Sequence, residues 1–588
     1  MPQDALPEFA SARLERADWI VIVGYFALML FIGAYFFRYM KKAKSYFSGG
    51  NTIPWWVSGV SLYMTSFSAF AFVAYSAMGY RFGLVPVTYM WLTVGAFSIG
   101  AFYMGSRWRR ARIGSPVEFL ENRYHPLIRQ LLAWVGIPFR TIDNGLRTLA
   151  LGSLVAGATD LSISQSILLC GSIVLASTFL GGLWAAMITD FVQFIIMVFA
   201  VILLVPLSIH RAGGMGVFSR LPETTWRLTA GPYTPFYLFT VFCLFAINYN
   251  SNWALAQRYY CVRDEREARR VGLLAAGLSI LGPPLFFLPA ILARDFLPGL
   301  EDPNTCYSRV VVTVLPAGMI GVVMAAMFSA TMSTLSSEYS VMANVLTTDI
   351  YRRLFRRSAS DRELVVVGMI MTVVVGLLTM GLGLYLAAQA KDKALFDRMI
   401  QVFSIGLGPM AVPFLLGLIS RRYGWRAALA GVLGGLTVGL SMYVYQLRVF
   451  VPSLETLKAA EPILRETRLN TYTGWTTLAS IGGTLLFMEI AQRLMGWAPG
   501  ERERVDTYFA RVSRPVERSE VPDVPPEEGP SVFHIVGLSI LGAGVMILLA
   551  GFAASSELSR RINLGTGAAL AALGLAMWRP WKGRVLSL

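Results

Sequence analysis

Residues 55–74 read WWVSGVSLYMTSFSAFAFVA, an apolar run of membrane-crossing length that is broken near its middle by Thr65, Ser66 and Ser68. A second apolar run is interrupted in the same way by INYNSNW at 247–253, which carries Asn248, Asn250, Ser251 and Asn252. Polar residues at mid-membrane depth cost free energy unless they line a cavity or a site. Each interrupted run is the first of a group of five apolar blocks, spanning 54–208 and 236–420. Paired interrupted helices at corresponding places in two halves are the pattern of a transporter built from inverted repeats, with its binding site at the two breaks. Polar packing seams between helices are the other reading of these residues.

The rest of the chain agrees with a lipid solvent. Of its 588 residues 55% are hydrophobic and 15% charged, and mean hydropathy is +0.56. A soluble domain carries about 25% charged residues. The apolar residues gather in blocks of about 20, the length of a helix crossing a hydrocarbon core, without the alternation of barrel strands. The expectation is an all-α polytopic membrane protein with about 15 spanning helices. Their approximate places are 18–37, 54–78, 83–104, 128–157, 162–181, 184–208, 236–255, 271–293, 312–348, 363–388, 396–420, 424–446, 472–495, 531–553 and 561–579. The 312–348 block exceeds one span, which implies a short additional helix or a strong tilt.

The net charge of +16 does not point to nucleic acid, because the basic residues sit in short clusters between apolar blocks. RYMKKAK at 38–44, SRWRRAR at 106–112, QRYYCVRDEREARR at 257–270, YRRLFRRSASDR at 351–362, SRRYGWR at 420–426, and Lys582 with Arg584 all fall on one side for this span count. By the positive-inside rule that side is the cytoplasm, so the N-terminus lies outside and the C-terminus inside a cell inner membrane. The N-terminal stretch lacks the basic-then-apolar order of a cleaved signal. Cys170, Cys243, Cys261 and Cys306 are scattered, and His125, His210 and His534 build no metal motif. No nucleophile–base pair or phosphate loop suggests an enzyme. Residues 1–497 read as the core, 498–530 as a charged, proline-rich cytoplasmic linker without the apolar content to bury a core, and 531–588 as two appended helices.

Four stretches resemble the sodium:solute symporter family over roughly residues 15–497: the run at 55–74, GGLWAAMITDFVQ at 181–193, QRYYCVRDEREAR at 257–269, and LPAGMIGVVMAAMFSATMSTLSSEYSVMANVLTTDIYRR at 315–353. The resemblance implies a five-plus-five inverted-repeat (LeuT-like) fold and sodium-driven uptake of a small solute by alternating access. In the last stretch Ala330, Ser333, Thr334 and Ser337 fall at i, i+3, i+4 and i+7, on one helical face. Sodium takes hard oxygen ligands. By the resemblance they are the Ala330 carbonyl, the Ser333 and Thr334 hydroxyls, and the carbonyls of Met64 and Phe67 from the broken helix. Asp190 lies inside an apolar run, where a carboxylate is a functional candidate by default or else a partner for a serine or a loop arginine. The resemblance implies a second sodium site or an exit path at Asp190, Ser336 and Ser337.

For the solute, the resemblance points to Gln401, which matches a sugar-binding glutamine, with Ser66, Phe70, Asn248, Tyr249 and Asn252 lining the same cavity. The run at 247–253 departs from the sugar pattern, since Asn252 and Trp253 replace its aspartate and glutamine. Arg140, Asp143 and Arg147 share one face of a spanning helix. Either Glu338 or Asp190 closes a structural network with them, or Arg140 or Arg147 receives an anionic group of the solute through its guanidinium fork. The expected function is therefore a sodium-coupled symporter of a carboxylate. A sugar or polyol symporter and a transporter-like membrane sensor are the alternatives. Sodium is the only metal expected, and the partners are the solute, sodium and the bilayer.

Overall fold

The computed structural model describes residues 14–37, 49–68, 71–159, 161–389, 395–455, 461–520 and 532–578, and all regular structure among them is helical. The major helices are α1 (Arg16–Phe37), α2 (Trp55–Thr65), α3 (Ser76–Phe82), α4 (Val85–Ile99, helical on to Arg110), α5 (Pro126–Ala158), α6 (Ile163–Arg211), α7 (Pro235–Ser251), α8 (Trp253–Tyr260) and α9 (Glu265–Phe296). They continue as α10 (Cys306–Val314), α11 (Met319–Asn344, helical on to Phe355), α12 (Asp361–Gln389), α13 (Leu395–Ile419), α14 (Trp425–Tyr445), α15 (Pro462–Met495), α16 (Glu501–Ser513), α17 (Val532–Ala553) and α18 (Glu557–Trp578). Nine described helices are long and apolar enough to cross a membrane. The two blocks expected at 162–181 and 184–208 both fall within α6, as its apolar pieces Ile163–Phe179 and Leu183–Arg211. The oversized block at 312–348 resolves into the end of α10 and a longer α11.

Both interrupted runs are broken helices. The α2 helix ends at Thr65, and a five-residue π-turn, Ala71–Tyr75, resumes the chain before α3. At the other break Asn252 takes φ −60° and ψ 129°, which ends α7, and its side chain then caps α8 by accepting from Leu255 N at 3.1 Å.

Every residue of α11 except Ile320 is buried. Protein encloses this helix, with α1, α2, α5, α6 and α12 against it. Its Ser/Thr face therefore needs no lipid contact. Its N-terminus is held from two sides. Asp18 of α1 is buried and accepts from Gly318 N and Gly321 N, each at 2.7 Å. Asn563 of α18 donates to Ala317 O at 2.8 Å. Gly321 packs so closely on Asp18 that a Cβ there would lie 2.6 Å from the Asp18 carbonyl oxygen. The two final helices, expected as an appendage, are thus seated on α1, where Met546 fills the groove at Gly24, and on the turn that starts α11.

The expected linker at 498–530 is also different over its described part. Residues 501–513 form α16, and Val505, Tyr508, Phe509 and Val512 are buried. Their spacing of i, i+3, i+4 and i+7 makes one apolar stripe. That stripe is too small to form a core of its own, but it is enough to seat the helix on a protein surface. Residues 521–530, like the basic clusters at 38–44 and at 582–584, lie outside the described residues.

Replacing Asp18 removes the acceptor for two backbone donors at the start of α11. Asp18→Ala should destabilise the protein by about 1–2 kcal/mol, read as a lowered melting temperature in detergent. Asp18→Asn, which keeps one acceptor, should lose less.

Candidate functional site

The break after α2 frees carbonyl oxygens, and Thr334 of α11 meets them. Thr334 Oγ1 lies 3.1 Å from Thr65 O, 2.8 Å from Phe67 O and 3.2 Å from Ala330 O. A hydroxyl has one proton, so it can satisfy only one of three acceptors at a time. The nest is otherwise all oxygen, the chemistry a hard cation takes. Beside it the buried Ser333 hydroxyl faces the buried Asp190 carboxylate. Of the two carbonyls expected from the broken helix, Phe67 O is in the nest. Met64 O instead accepts from Phe67 N at 3.0 Å, and Thr65 O stands nearer to Thr334. Thr65 was not among the expected ligands, because spacing alone does not say which carbonyl a break turns outward.

Asp190 has lost all exposure, and so has its partner Arg258 of α8. Asp190 Oδ2 accepts from Ser61 Oγ and from Arg258 Nη2, the latter at 3.4 Å. Arg258 donates also to Ser337 Oγ, to Ser61 Oγ at 3.1 Å and to Ala254 O at 3.1 Å. Ser336 donates to Ser333 O at 3.2 Å. Arg258 reads in the sequence as part of a basic loop. In the structure α8 runs to Tyr260, so Arg258 belongs to the core, where a buried carboxylate needs it. The isolated acid at position 190 was the one signal that such a partner had to exist.

On α5 the three charges pair separately. Arg140 shares one nitrogen, Nη1, between both oxygens of Glu338 of α11, at 3.1 and 3.0 Å, and stacks over the Trp253 ring at 4.4 Å. Asn252 Nδ2 donates to the same carboxylate at 2.9 Å. Arg147 gives only its Nε to Asp143 Oδ2, at 3.1 Å. Two chambers lie along this face. One is lined by Ser66, Ser68, Arg147, Asn248 and Tyr249; the other by Arg140, Asp143, Asn248, Asn252 and Trp253. Phe403 of α13 lines both. The structure thus gathers Ser66, Arg147, Asn248 and Tyr249 around one space. Arg140 and Asn252 face the adjoining one and are tied to Glu338. Gln401 is on α13, but its neighbours Ile400 and Phe403 line the chamber in its place. Phe70 lies outside the described residues.

The family model described as the sodium:solute symporter family matches residues 46–435. The sodium/sialic acid symporter SiaT of Proteus mirabilis is 25% identical over 442 residues, covering 71% of this chain and 87% of the relative. The sodium/myo-inositol cotransporter 2 of Sus scrofa is 24% identical over 574 residues, covering 89% and 83%. In structure, the chain is similar to the substrate-bound outward-open state of a Na+-coupled sialic acid symporter. There the TM-score is 0.65 and the identity 21%, with 80% of this chain and 98% of the other covered. A model that matches two thirds of the chain and takes in both helix breaks and the oxygen nest at the first of them settles the membership: this chain belongs to the sodium:solute symporter family.

Proposed function

We propose that this symporter imports a small organic carboxylate with sodium by alternating access, and that the sodium sits where Thr334 meets the break after α2. The observation that carries the sodium assignment is the three-carbonyl nest around one hydroxyl. Its ligands are Thr334 and Ser333 through their hydroxyls and Ala330 and Phe67 through their carbonyls, with Thr65 O or Met64 O completing the set. Asp190 stands next to this nest beside Ser333, and Arg258 already balances its charge. A second resident sodium at Asp190, Ser336 and Ser337 would compete with that guanidinium. An exit path for sodium past Asp190 and Ser337 fits the charge balance better.

The solute reading rests on Arg147. Its guanidinium faces a chamber of hydroxyl and amide groups, and only Nε is engaged by Asp143. Arg140 is held to Glu338 through Nη1 and stacked on Trp253, so we assign the carboxylate to Arg147, which faces the chamber of hydroxyl and amide groups. The two ion pairs leave this part of the cavity near neutrality, and an incoming carboxylate would arrive with a sodium. The sialic acid symporters among the relatives favour a carboxylate, the inositol cotransporters a polyol. In this reading the fold is a five-plus-five inverted repeat in which the break between α2 and α3 corresponds to that between α7 and α8. The chain crosses a cell inner membrane about 15 times, with the N-terminus outside and the arginine-rich face and C-terminus in the cytoplasm.

Two experiments test these assignments. Thr334→Ala and Ser333→Ala should each raise the sodium concentration that half-saturates sodium-induced thermal stabilisation, by about tenfold, or ~1.4 kcal/mol. An unchanged sodium midpoint in both variants removes the ligand assignment. In sodium-dependent binding of sialic acid and other organic acids set against myo-inositol, the acids should bind. Arg147→Gln should weaken them by about one to two decades, since a charged hydrogen bond is worth roughly 1.5–3 kcal/mol. Arg147→Lys should weaken them less, because it keeps the charge and loses the fork. Sodium-dependent binding of the polyol alone overturns the carboxylate reading.

A further inference from the structure

The chamber next to Arg140 is bounded by Phe414 of α13. Behind Phe414 the way toward the arginine-rich face is filled by three rings. Trp108 lies 5.4 Å from Phe414 and 5.5 Å from Phe119, and Phe119 lies 5.2 Å from Phe414, between centroids. The next ring outward is Tyr508 of α16, 6.3 Å from Phe119. Beside it Phe509 covers Arg123, which is itself wholly buried and donates to Ser420 O at 2.6 Å and Tyr423 O at 3.0 Å. The helix that follows the transporter core therefore caps the plug beneath the chamber.

The segment is also tied at both ends. At its start Glu501 accepts from Trp425 N at 2.5 Å, and Arg504 donates to Tyr124 O at 2.9 Å. Past its end Val516 N donates to Glu265 at the start of α9, at 2.8 Å. Arg112, which follows α4, makes a fork on Glu520 at 2.6 and 3.0 Å and donates to Pro515 O at 2.9 Å. That fork holds the Glu520 carboxyl below its ordinary range. The ties run from the α13–α14 turn at one end to α4 and α9 at the other. Any motion that parts α4 and α9 from α13 on this face must break them.

We propose that residues 501–520 act as an inner-gate strap, a segment that holds the Trp108–Phe119–Phe414 plug shut and must release from Arg112 before the chamber opens to the arginine-rich face. The strap rests on the transport reading above. It gives the segment after the core a gating function and makes the Arg112–Glu520 fork its latch. Glu520 is 36% exposed on its side chain, so replacing it removes the latch without emptying a core position.

The test labels a single cysteine in the chamber. Met410 lines it, so Met410→Cys is placed in a full-length chain whose four native cysteines are serine. A membrane-impermeant maleimide is then applied to inside-out vesicles with and without sodium. Glu520→Ala should speed labelling about 3- to 10-fold, the range for a bidentate ion pair on a partly exposed surface. The charge-exchanged pair Arg112→Glu with Glu520→Arg should bring the rate back toward that of the parent. Tyr508→Ala, which opens the cap without touching the latch, should also speed labelling. Labelling that responds to sodium but is the same in all variants overturns the strap and leaves transport standing. Faster labelling that the exchanged pair does not restore overturns the latch, since it marks general loosening. A parent whose labelling ignores sodium overturns the transport reading and the strap with it.

Discussion

A single hydroxyl facing three backbone oxygens sets the terms for the centre of this protein. Breaking a helix inside a membrane exposes carbonyls that no water satisfies, and each left bare costs several kcal/mol. Here the break after α2 is tolerated because Thr334 stands against it from α11. The same oxygens are too many for one proton, and the proposed sodium site takes up that surplus. That in turn requires α11 to be fixed in height and rotation against α2, because a shift of one residue along α11 would bring Ser333 or Leu335 to the break.

Much of the remaining architecture serves that requirement. The helix is enclosed on all sides, so its hydroxyls meet protein. Asp18 and Asn563 grip its first turn from helices far away in sequence. Further along, Glu338 of the same helix is pinned by Arg140 and Asn252. The helix that carries Ser333 and Thr334 is therefore also tied to the chamber through Glu338, and in the proposed symport that tie is a physical route for coupling solute to ion.

Three buried charge pairs surround this centre. Arg258 answers Asp190, Glu338 answers Arg140, and Asp143 answers Arg147. Pairs in a low-dielectric interior are weak sources of net stability, but removing one partner strands the other at a cost of several kcal/mol. The three pairs differ in how complete they are. Glu338 takes one arginine nitrogen on both oxygens and an amide besides, Asp190 takes an arginine and a serine, and the Arg147 pair is held by one bond. The proposed carboxylate site rests on that incomplete pairing.

The sequence by itself determined the solvent, the breaks and the faces. Block length and hydropathy require a membrane, Ser/Thr and Asn clusters inside two such blocks mark the breaks, and the i, i+3, i+4, i+7 spacing puts Ala330, Ser333 and Thr334 on one side of α11. All three are local, since helical periodicity is fixed by neighbours within two turns. What only the tertiary structure decided is which groups meet across helices. Arg258 reads as a loop cation until α8 carries it into the core against an acid 68 positions away. Thr65 rather than Met64 turns its carbonyl to Thr334, Phe403 rather than Gln401 lines the chamber, and of the two acids that could close the network on α5 it is Glu338 that meets Arg140. The stretch at 498–530 reads as a linker because four apolar residues in a charged stretch, at 505, 508, 509 and 512, do not reveal the surface they cover. Pairing of this kind depends on the relative height and rotation of helices hundreds of residues apart, which packing sets and one-dimensional spacing does not encode.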